Sequence, residues 1–394
     1  MCLRALFRAT LVGGSCAASI VACGAPQNAT TTPAPVVSSS RPSAGVPLPA
    51  GVAPKHPYPV WPREDVKDTL HGVVVPDPYR GLEDGKSERV KAWMTAEDGL
   101  ARRVLSGLPG RDAFAKRLTE LTYLESSGMP WHRGTRYFTW KSTRTSEKSA
   151  LYVRDGRDGK DRAVLDPNLA SADGTISFRD ARPSKDGSKI AYARSVNNAD
   201  DATLYVRDVA SGKDSTIDVI PGARYADASW VDDGFYYVGL PTGVDVPEVD
   251  LPGLAELRFH KLGTDPKSDL VVREKTGDSA REIEAFATRD GHWLVLSVRH
   301  GWASNDLYVQ DLRTRAPRAW VTVVEGVPAN FEPTIHKDRL YVRTDDGAKT
   351  YRVMTADLAK PARANWKELL PARADAVLRS AYVLGGKLVT AYLK

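Results

Sequence analysis

Cysteine is confined to the first 23 residues, at Cys2, Cys16 and Cys23, and none follows before Lys394. The body of the protein therefore holds no disulfide framework and no cysteine metal cluster. Short catalytic signatures are missing as well. No G-x-S-x-G pentapeptide, the strained elbow that presents a hydrolase serine, occurs anywhere. There is no H-E-x-x-H pair, no Walker loop and no dinucleotide fingerprint. Asp200-Asp201 has no ligand partners at useful spacing, and Asp232-Asp233 and Asp345-Asp346 precede glycine, as turn residues do. The seven histidines, at 56, 71, 132, 260, 292, 300 and 336, have no serine elbow to serve. The chain is thus expected to hold no metal, no cofactor and no complete catalytic triad.

Charge of one sign is also not in excess. The net charge is +6 over 394 residues, and basic residues sit beside acids, as in Arg207-Asp208 and Arg289-Asp290. A nucleic-acid-binding face would show clustering. No nucleic-acid partner is expected.

What is present begins with an address. Residues 1–23, MCLRALFRATLVGGSCAASIVAC, carry Arg4 and Arg8, an apolar run and then small residues. That is a secretory signal, too short for a transmembrane span. Its end, Ile20-Val21-Ala22-Cys23, resembles the lipobox of bacterial lipoproteins, which implies cleavage before Cys23 and lipidation of its thiol. The alternative is a plain secretory signal cut nearby. Export to a bacterial cell envelope, or secretion, is the expected location. Residues 24–54 contain seven prolines and one charge, Arg41, and read as a flexible tether.

From 55 to 124 the pattern is that of a helical arm. Val90, Trp93, Met94, Leu100, Ala101, Val104 and Leu105 recur mostly at three or four residues. Ser87 is placed to cap this helix and Gly107 to stop it. Phe114, Leu118 and Leu121 mark a second, shorter helix.

From 125 to 394 the helical period gives way to short alternating runs such as RYFTW, KIAYARS, TLYVRDV and RLYVRT. Asp-Gly pairs at 155, 158, 173, 186, 233, 290 and 346 separate many of them. They predict type I′ hairpins, in which both turn residues take positive φ. The runs repeat, with comparable points at Tyr137, Ile190, Phe235, Leu294, Leu340 and Leu388. A period near 50 in all-β sequence predicts one four-stranded propeller blade per repeat. A sandwich would give turn signals every 8–12 residues or so without this longer period. The fold class expected is all-β, with about five blades and the start of a sixth. KLVTAYLK ends where its hairpin partner should begin.

The segment YPVWPREDVKDTLHGVVVPDPYRGLEDGKSERVKAW, from Tyr58 to Trp93, resembles the N-terminal signature of the prolyl oligopeptidase family of serine peptidases. It keeps Arg63, Asp65, His71, Gly72, Asp77, Pro78, Tyr79, Arg80, Leu82, Glu83, Asp84, Val90 and Trp93 in register. It departs at Gly81, where the family usually has Trp, and at Glu97-Asp98, where Gln-Asn is typical. LDPNLASADGTISF, PSKDGSKIAYARS and HKLGTDPKSDLVV resemble blade segments of the same enzymes. The resemblance implies a seven-bladed propeller capping an α/β-hydrolase domain, whose N-terminal half is the helical arm. It implies that the catalytic Ser, Asp and His lie beyond Lys394, and that the substrates are short proline-containing peptides. His71, Asp77, Pro78, Tyr79, Arg80, Glu83, Asp84 and Trp93 are read as structural, a capped turn and ion pair docking the arm. The expectation is thus the arm and part of the gating propeller of such an enzyme, inactive alone, monomeric, and tethered to a membrane through Cys23. The rival is a lipid-anchored propeller that binds without catalysing.

Overall fold

A computed structural model describes residues 56–314 and 318–394. The expected signal at 1–23, with Cys23, and the tether at 24–54 lie outside the described residues. The described chain forms two compact units, residues 56–122 and 123–394. No helix among the described residues is long and apolar enough to cross a membrane.

In the first unit, Lys67–Leu70 pairs with Val73–Pro76 around His71 and Gly72. Their φ values of 51° and 80° give this two-residue hairpin left-handed backbone at both turn positions. A 3-10 turn over Arg80–Glu83 follows, then α1, Glu88–Ser106, and α2, Arg111–Thr122. Ser87 holds the extended N-cap conformation, but its side chain makes no cap bond. Gly107 ends α1 with φ −85°, so the stop is not a left-handed cap. Pro109 prevents continuation of the helix into α2. Of the predicted apolar stripe, Val90 and Leu100 are buried, whereas Met94 and Leu105 are exposed. On α2, Phe114, Leu118 and Leu121 are all exposed.

The second unit is a succession of antiparallel sheets in chain order. Sheet one carries Ser126–Ser127 and Trp131–Arg133 on Arg136–Ser142, followed by Ala150–Asp155 and Arg162–Leu165. Sheet two is Ile176–Pro183, Lys189–Val196, Thr203–Asp208 and Asp214–Ile220. Sheet three is Ser229–Trp230, Gly234–Gly239, Glu256–Lys261 and Leu270–Arg273. Sheet four is Arg281–Ala287, Trp293–His300, Ser304–Asp311 and Val321–Val324. Sheet five is Phe331–His336, Arg339–Thr344, Arg352–Asp357 and Lys367–Leu370. A sixth sheet pairs Val377–Leu384 with Lys387–Leu393. Lys387–Leu393 thus already has its hairpin partner, upstream, through Gly385 and Gly386 at φ 58° and 76°. The six repeat markers, Tyr137 to Leu388, all fall on second strands.

The Asp-Gly turns are not type I′. Gly156, Gly174, Gly187, Gly291 and Gly347 have positive φ, but none of the preceding aspartates does. In the 184–189 turn, Gly187 N donates to Ser184 O and Ser184 N to Lys189 O. The Asp186 carboxylate instead accepts from Ser184 Oγ and Ser188 N. Asp290 repeats this with Thr288 Oγ1 and His292 N. Each Asp acts as an acceptor for its own loop, which right-handed backbone permits.

Apolar side chains fill the seams between successive sheets. Phe138, Leu151, Val153 and Tyr192 join sheets one and two. Ala193, Leu204, Trp230 and Phe235 join two and three. Tyr236, Leu257, Leu294 and Leu296 join three and four, and Val295, Leu307, Phe331 and Leu340 join four and five. Adjacent first strands also lie against one another, with Ala287 N donating to Ser229 Oγ at 2.6 Å. This is the propeller arrangement, with first strands toward the axis.

The second seam contains a polar exception. His260, fully buried, hydrogen-bonds Asp269 Oδ1 through Nδ1 at 2.8 Å and Asp218 Oδ1 through Nε2 at 2.9 Å. Tyr237 donates its hydroxyl to Asp269 Oδ2 at 2.8 Å. Only an imidazolium donates from both nitrogens. Burial lowers the His260 pKa, but bonds and charges from Asp269 and Asp218 outweigh it and raise it above the ordinary value. A group whose folded pKa is raised stabilises fully below its unfolded pKa, about 6.5, and loses that stability as pH rises through the folded value. His260→Leu is therefore expected to cost about 3 kcal/mol at pH 6, since it strands two buried carboxylates. In urea unfolding from pH 6 upward, the wild-type advantage should shrink above pH 6.5. A constant difference would show that His260 does not bridge as a cation.

Candidate functional site

The charged side chains around the axis centre on the first strand of sheet two. Its register slips between Arg179, opposite Ala193, and Arg182, opposite Ala191. Two residues, Asp180 and Ala181, therefore oppose one, and Asp180 takes φ 52°. Strand side chains alternate, so 179 and 182 would ordinarily face opposite ways; the bulge brings them to one face. A non-glycine residue held at positive φ in a strand is a strained position of the kind that clusters at functional sites.

Arg182 clasps Asp227, which precedes the first strand of sheet three, through Nε to Oδ1 at 2.6 Å and Nη2 to Oδ2 at 2.7 Å. Burial raises the Asp227 pKa against the pull of Arg182, with the charge of Asp180 adding to the rise. Asp180 is raised in the same way, opposed by Arg182 and Arg179. Glu284, on the first strand of sheet four, is raised by burial against Arg299, 3.9 Å away. Arg133, at the end of the first strand of sheet one, is lowered by burial and by the charges of Arg289 and Arg182. Arg133, Arg182, Asp227 and Arg289, 45 to 156 residues apart in sequence, thus meet in one electrostatic cluster. Only the Asp-Gly turns that follow Arg182 and Arg289 marked any of these positions in the sequence, and nothing there pointed to their convergence.

This arrangement is built of paired and unpaired charges. Among the described residues no histidine hydrogen-bonds a serine. His300 and His260 bond aspartates, and His292 stands 3.7 Å from Asp290. Among the described residues no group of three or more His, Cys, Asp or Glu side chains is arranged to hold a metal ion.

The opening signature folds around Arg80. Its guanidinium ion-pairs with Asp77 at 2.5 Å, with Asp68, and with Glu83 at 3.6 Å. Asp84 Oδ1 accepts from Lys86 N at 3.1 Å, and Arg63 lies over the Tyr79 ring at 5.6 Å. Pro78 O accepts from Glu64 N at 3.0 Å. Trp93 donates Nε1 to Pro59 O at 3.3 Å and meets Trp61 edge-on at 6.1 Å. His71 sits in the exposed hairpin turn. Among the eight signature residues, the structure joins Asp77, Arg80 and Glu83 in one ion-pair group and leaves His71 and Trp93 apart from it.

Residues 59–394 match the family model described as "Prolyl oligopeptidase, N-terminal beta-propeller domain". The chain belongs to the prolyl oligopeptidase family. It is 28% identical over 320 residues to a prolyl endopeptidase of Elizabethkingia meningoseptica, covering 79% of this chain and 44% of that protein. It is 27% identical over 344 residues to the prolyl endopeptidase of Elizabethkingia miricola, covering 86% and 47%. A solved structure from a study of two prolyl endopeptidases superposes with a TM-score of 0.83 at 44% identity, over 86% of this chain and 50% of that one. The chain therefore spans about half the length of the relatives it matches, and it corresponds to their N-terminal propeller portion.

The departure from the family signature at Gly81 has a local cause. A Cβ added at 81 would come within 2.9 Å of Glu64 Oε1 and 3.2 Å of Trp61 Cζ2. Trp61 is buried there, with Arg89 over its ring at 4.4 Å. One large ring fills the space and excludes a second. Gly81→Trp is expected to destabilise residues 56–122 by roughly 1–3 kcal/mol through overpacking. Combined with Trp61→Ala it should cost clearly less than the sum of the two single changes. Thermal unfolding of the four proteins measures this, and additive losses would show that the two positions do not share the space.

Proposed function

We propose that this chain is the substrate-selecting half of a serine endopeptidase that cleaves short peptides after proline. In this reading an α/β-hydrolase portion supplies the Ser-Asp-His triad, and the propeller restricts what reaches it. The match of residues 59–394 to the family's propeller domain carries the reading. Two further observations support it. The apolar face of α2, Phe114, Leu118 and Leu121, is exposed, as a surface awaiting a partner portion would be. The charged cluster at the axis holds no nucleophile, which suits a filter.

The chain alone should not cleave a proline-containing chromogenic peptide or react with a serine-directed fluorophosphonate, since residues 1–394 contain no nucleophile elbow. Mixed with the separately produced hydrolase portion of a prolyl endopeptidase relative, it should restrict cleavage to short peptides and spare folded proteins. Fluorophosphonate labelling of the chain itself, or no change in the hydrolase portion's substrate range, would overturn the reading.

The address belongs to the same proposal. An exported peptidase tethered through lipidated Cys23 would digest peptides at the cell envelope. Cys23→Ala is expected to abolish fatty-acid labelling and detergent partitioning, and labelling that survives the substitution would exclude the anchor.

A further inference from the structure

Two arginines from non-neighbouring sheets share one acceptor. Arg133, on sheet one, donates Nη1 to His132 O at 3.0 Å. Arg289, in the turn between the first two strands of sheet four, donates Nη2 to the same oxygen at 3.4 Å. The residues are 156 positions apart. In a succession of sheets around an axis, a contact from the first to the fourth spans the opening rather than a seam.

The turns joining first to second strands lie together at this end of the unit. Arg136 donates to Gly187 O at 2.9 Å, and Lys185 Nζ stands 3.3 Å from Asp232 and close to Gly291. The acids of these turns are already engaged. Asp186 accepts from Ser184 and Ser188, and Asp290 from Thr288 and His292. Asp232 pairs with Lys185, Asp155 with Arg136, and Asp227 with Arg182. Neither Arg133 nor Arg289 has an ion-pair partner among the described residues.

A guanidinium offers five N–H donors, and a carbonyl oxygen has two lone pairs. His132 O therefore leaves most donors of both arginines without an acceptor among the described residues. Two like charges held on one neutral oxygen repel each other, and a carboxylate between them would relieve that repulsion. Its two oxygens match the planar fork of each guanidinium, and the bonds formed are charge-assisted.

We propose that Arg133 and Arg289 form a carboxylate-binding clamp across the mouth of the propeller opening. Its ligand is the carboxylate of a peptide, either the terminal group or an acidic side chain. The assignment rests on the reading of the propeller as a peptide filter. It adds that the filter favours peptides presenting a carboxylate first.

The test uses the full chain labelled with 15N. The Arg133 and Arg289 Nε–Hε resonances are assigned by loss in Arg133→Gln and Arg289→Gln. The probes are an acetylated Ala-Pro-Ala acid, its C-terminal amide, and an acetylated Glu-Pro-Ala amide. The acid should shift both resonances and the neutral amide neither. A shift by the Glu-containing amide shows that side-chain carboxylates are also accepted, and no shift by it assigns the clamp to chain termini. Either Gln variant should weaken acid binding about tenfold, the effect of losing one charge-assisted pair. Circular dichroism melts confirm that the variants fold. As a second variant, Arg289→Asp should supply Arg133 with an internal carboxylate and abolish binding. Equal shifts from acid and neutral amide, no shifts from any probe, or unchanged affinity in both Gln variants would overturn the clamp. These readouts need no catalysis, so they fail or succeed separately from the peptidase reading.

Discussion

Sheets two, three and four of residues 123–394 each carry buried apolar side chains on both faces, and neither face is buried within its own sheet. The seams between successive sheets are what remove those faces from water. Phe138, Leu165, Leu204, Phe235, Leu257, Leu294 and Leu307 are essentially inaccessible, and each lies between two sheets rather than within one. At about 25 cal/mol per Å2 of apolar area, such burial is the dominant favourable term. The hydrogen-bonded ladders inside each sheet fix its strand order and register, and the seams then fix where each sheet's first strand stands relative to the axis.

Several polar groups that enter this arrangement are paired across it. Arg207 reaches across the first seam to Val164 O at 2.8 Å while holding Asp214 at 2.7 and 2.8 Å. His260 occupies the corresponding third-strand position in sheet three and holds Asp218 and Asp269. Both connect a third strand to its own outer edge and to a neighbouring sheet. Trp230 Nε1 donates to Arg182 O at 2.8 Å, and Trp293 Nε1 to Asp338 at 2.9 Å, so two seams also carry an indole bond. A buried donor left unpaired costs about 1–3 kcal/mol, so these bonds restrict which sheets may meet as well as holding them together.

The period of the sequence revealed the architecture because each repeat places an apolar, β-branched or aromatic marker on the same strand. Tyr137, Ile190 and Leu340 could therefore be aligned without a structure. The arm was readable for the same reason, since Val90 and Leu100 recur at helical spacing. Exposure was not readable. Met94 and Leu105 share the stripe yet face solvent, because period alone does not show which part of a face is covered. The axial cluster was hidden for a deeper reason. Arg133, Arg182, Asp227 and Arg289 each look like ordinary strand-end charges, and only the stacking of sheets brings them together. The bulge at Asp180 was equally silent, since nothing in FRDAR requires an extra residue to open there. Asp-Gly pairs marked loops correctly but misled on turn type, because the aspartate side chain caps the loop and does not need left-handed backbone. The pair that does take that backbone in the arm, His71-Gly72, was read only as part of a family signature.

Catalysis and selection place opposite demands on one chain. A triad needs a few groups held rigidly with matched pKa values, while a filter needs a polar opening that tolerates many sequences. In the proposed reading the propeller portion would meet the second demand with the charged side chains of its first strands and axial turns. Arg182 and Asp227 pair with each other there, and burial raises the pKa of Asp180 and of Glu284. Arg133 and Arg289, at one mouth, have no ion-pair partner among the described residues. The cost of holding them together is a local repulsion that the seams, which lie outside the axis, are positioned to withstand. A peptide carboxylate would lower that cost on arrival, and a neutral end would not. In the proposed clamp, selection at this mouth would follow from the electrostatics of two side chains.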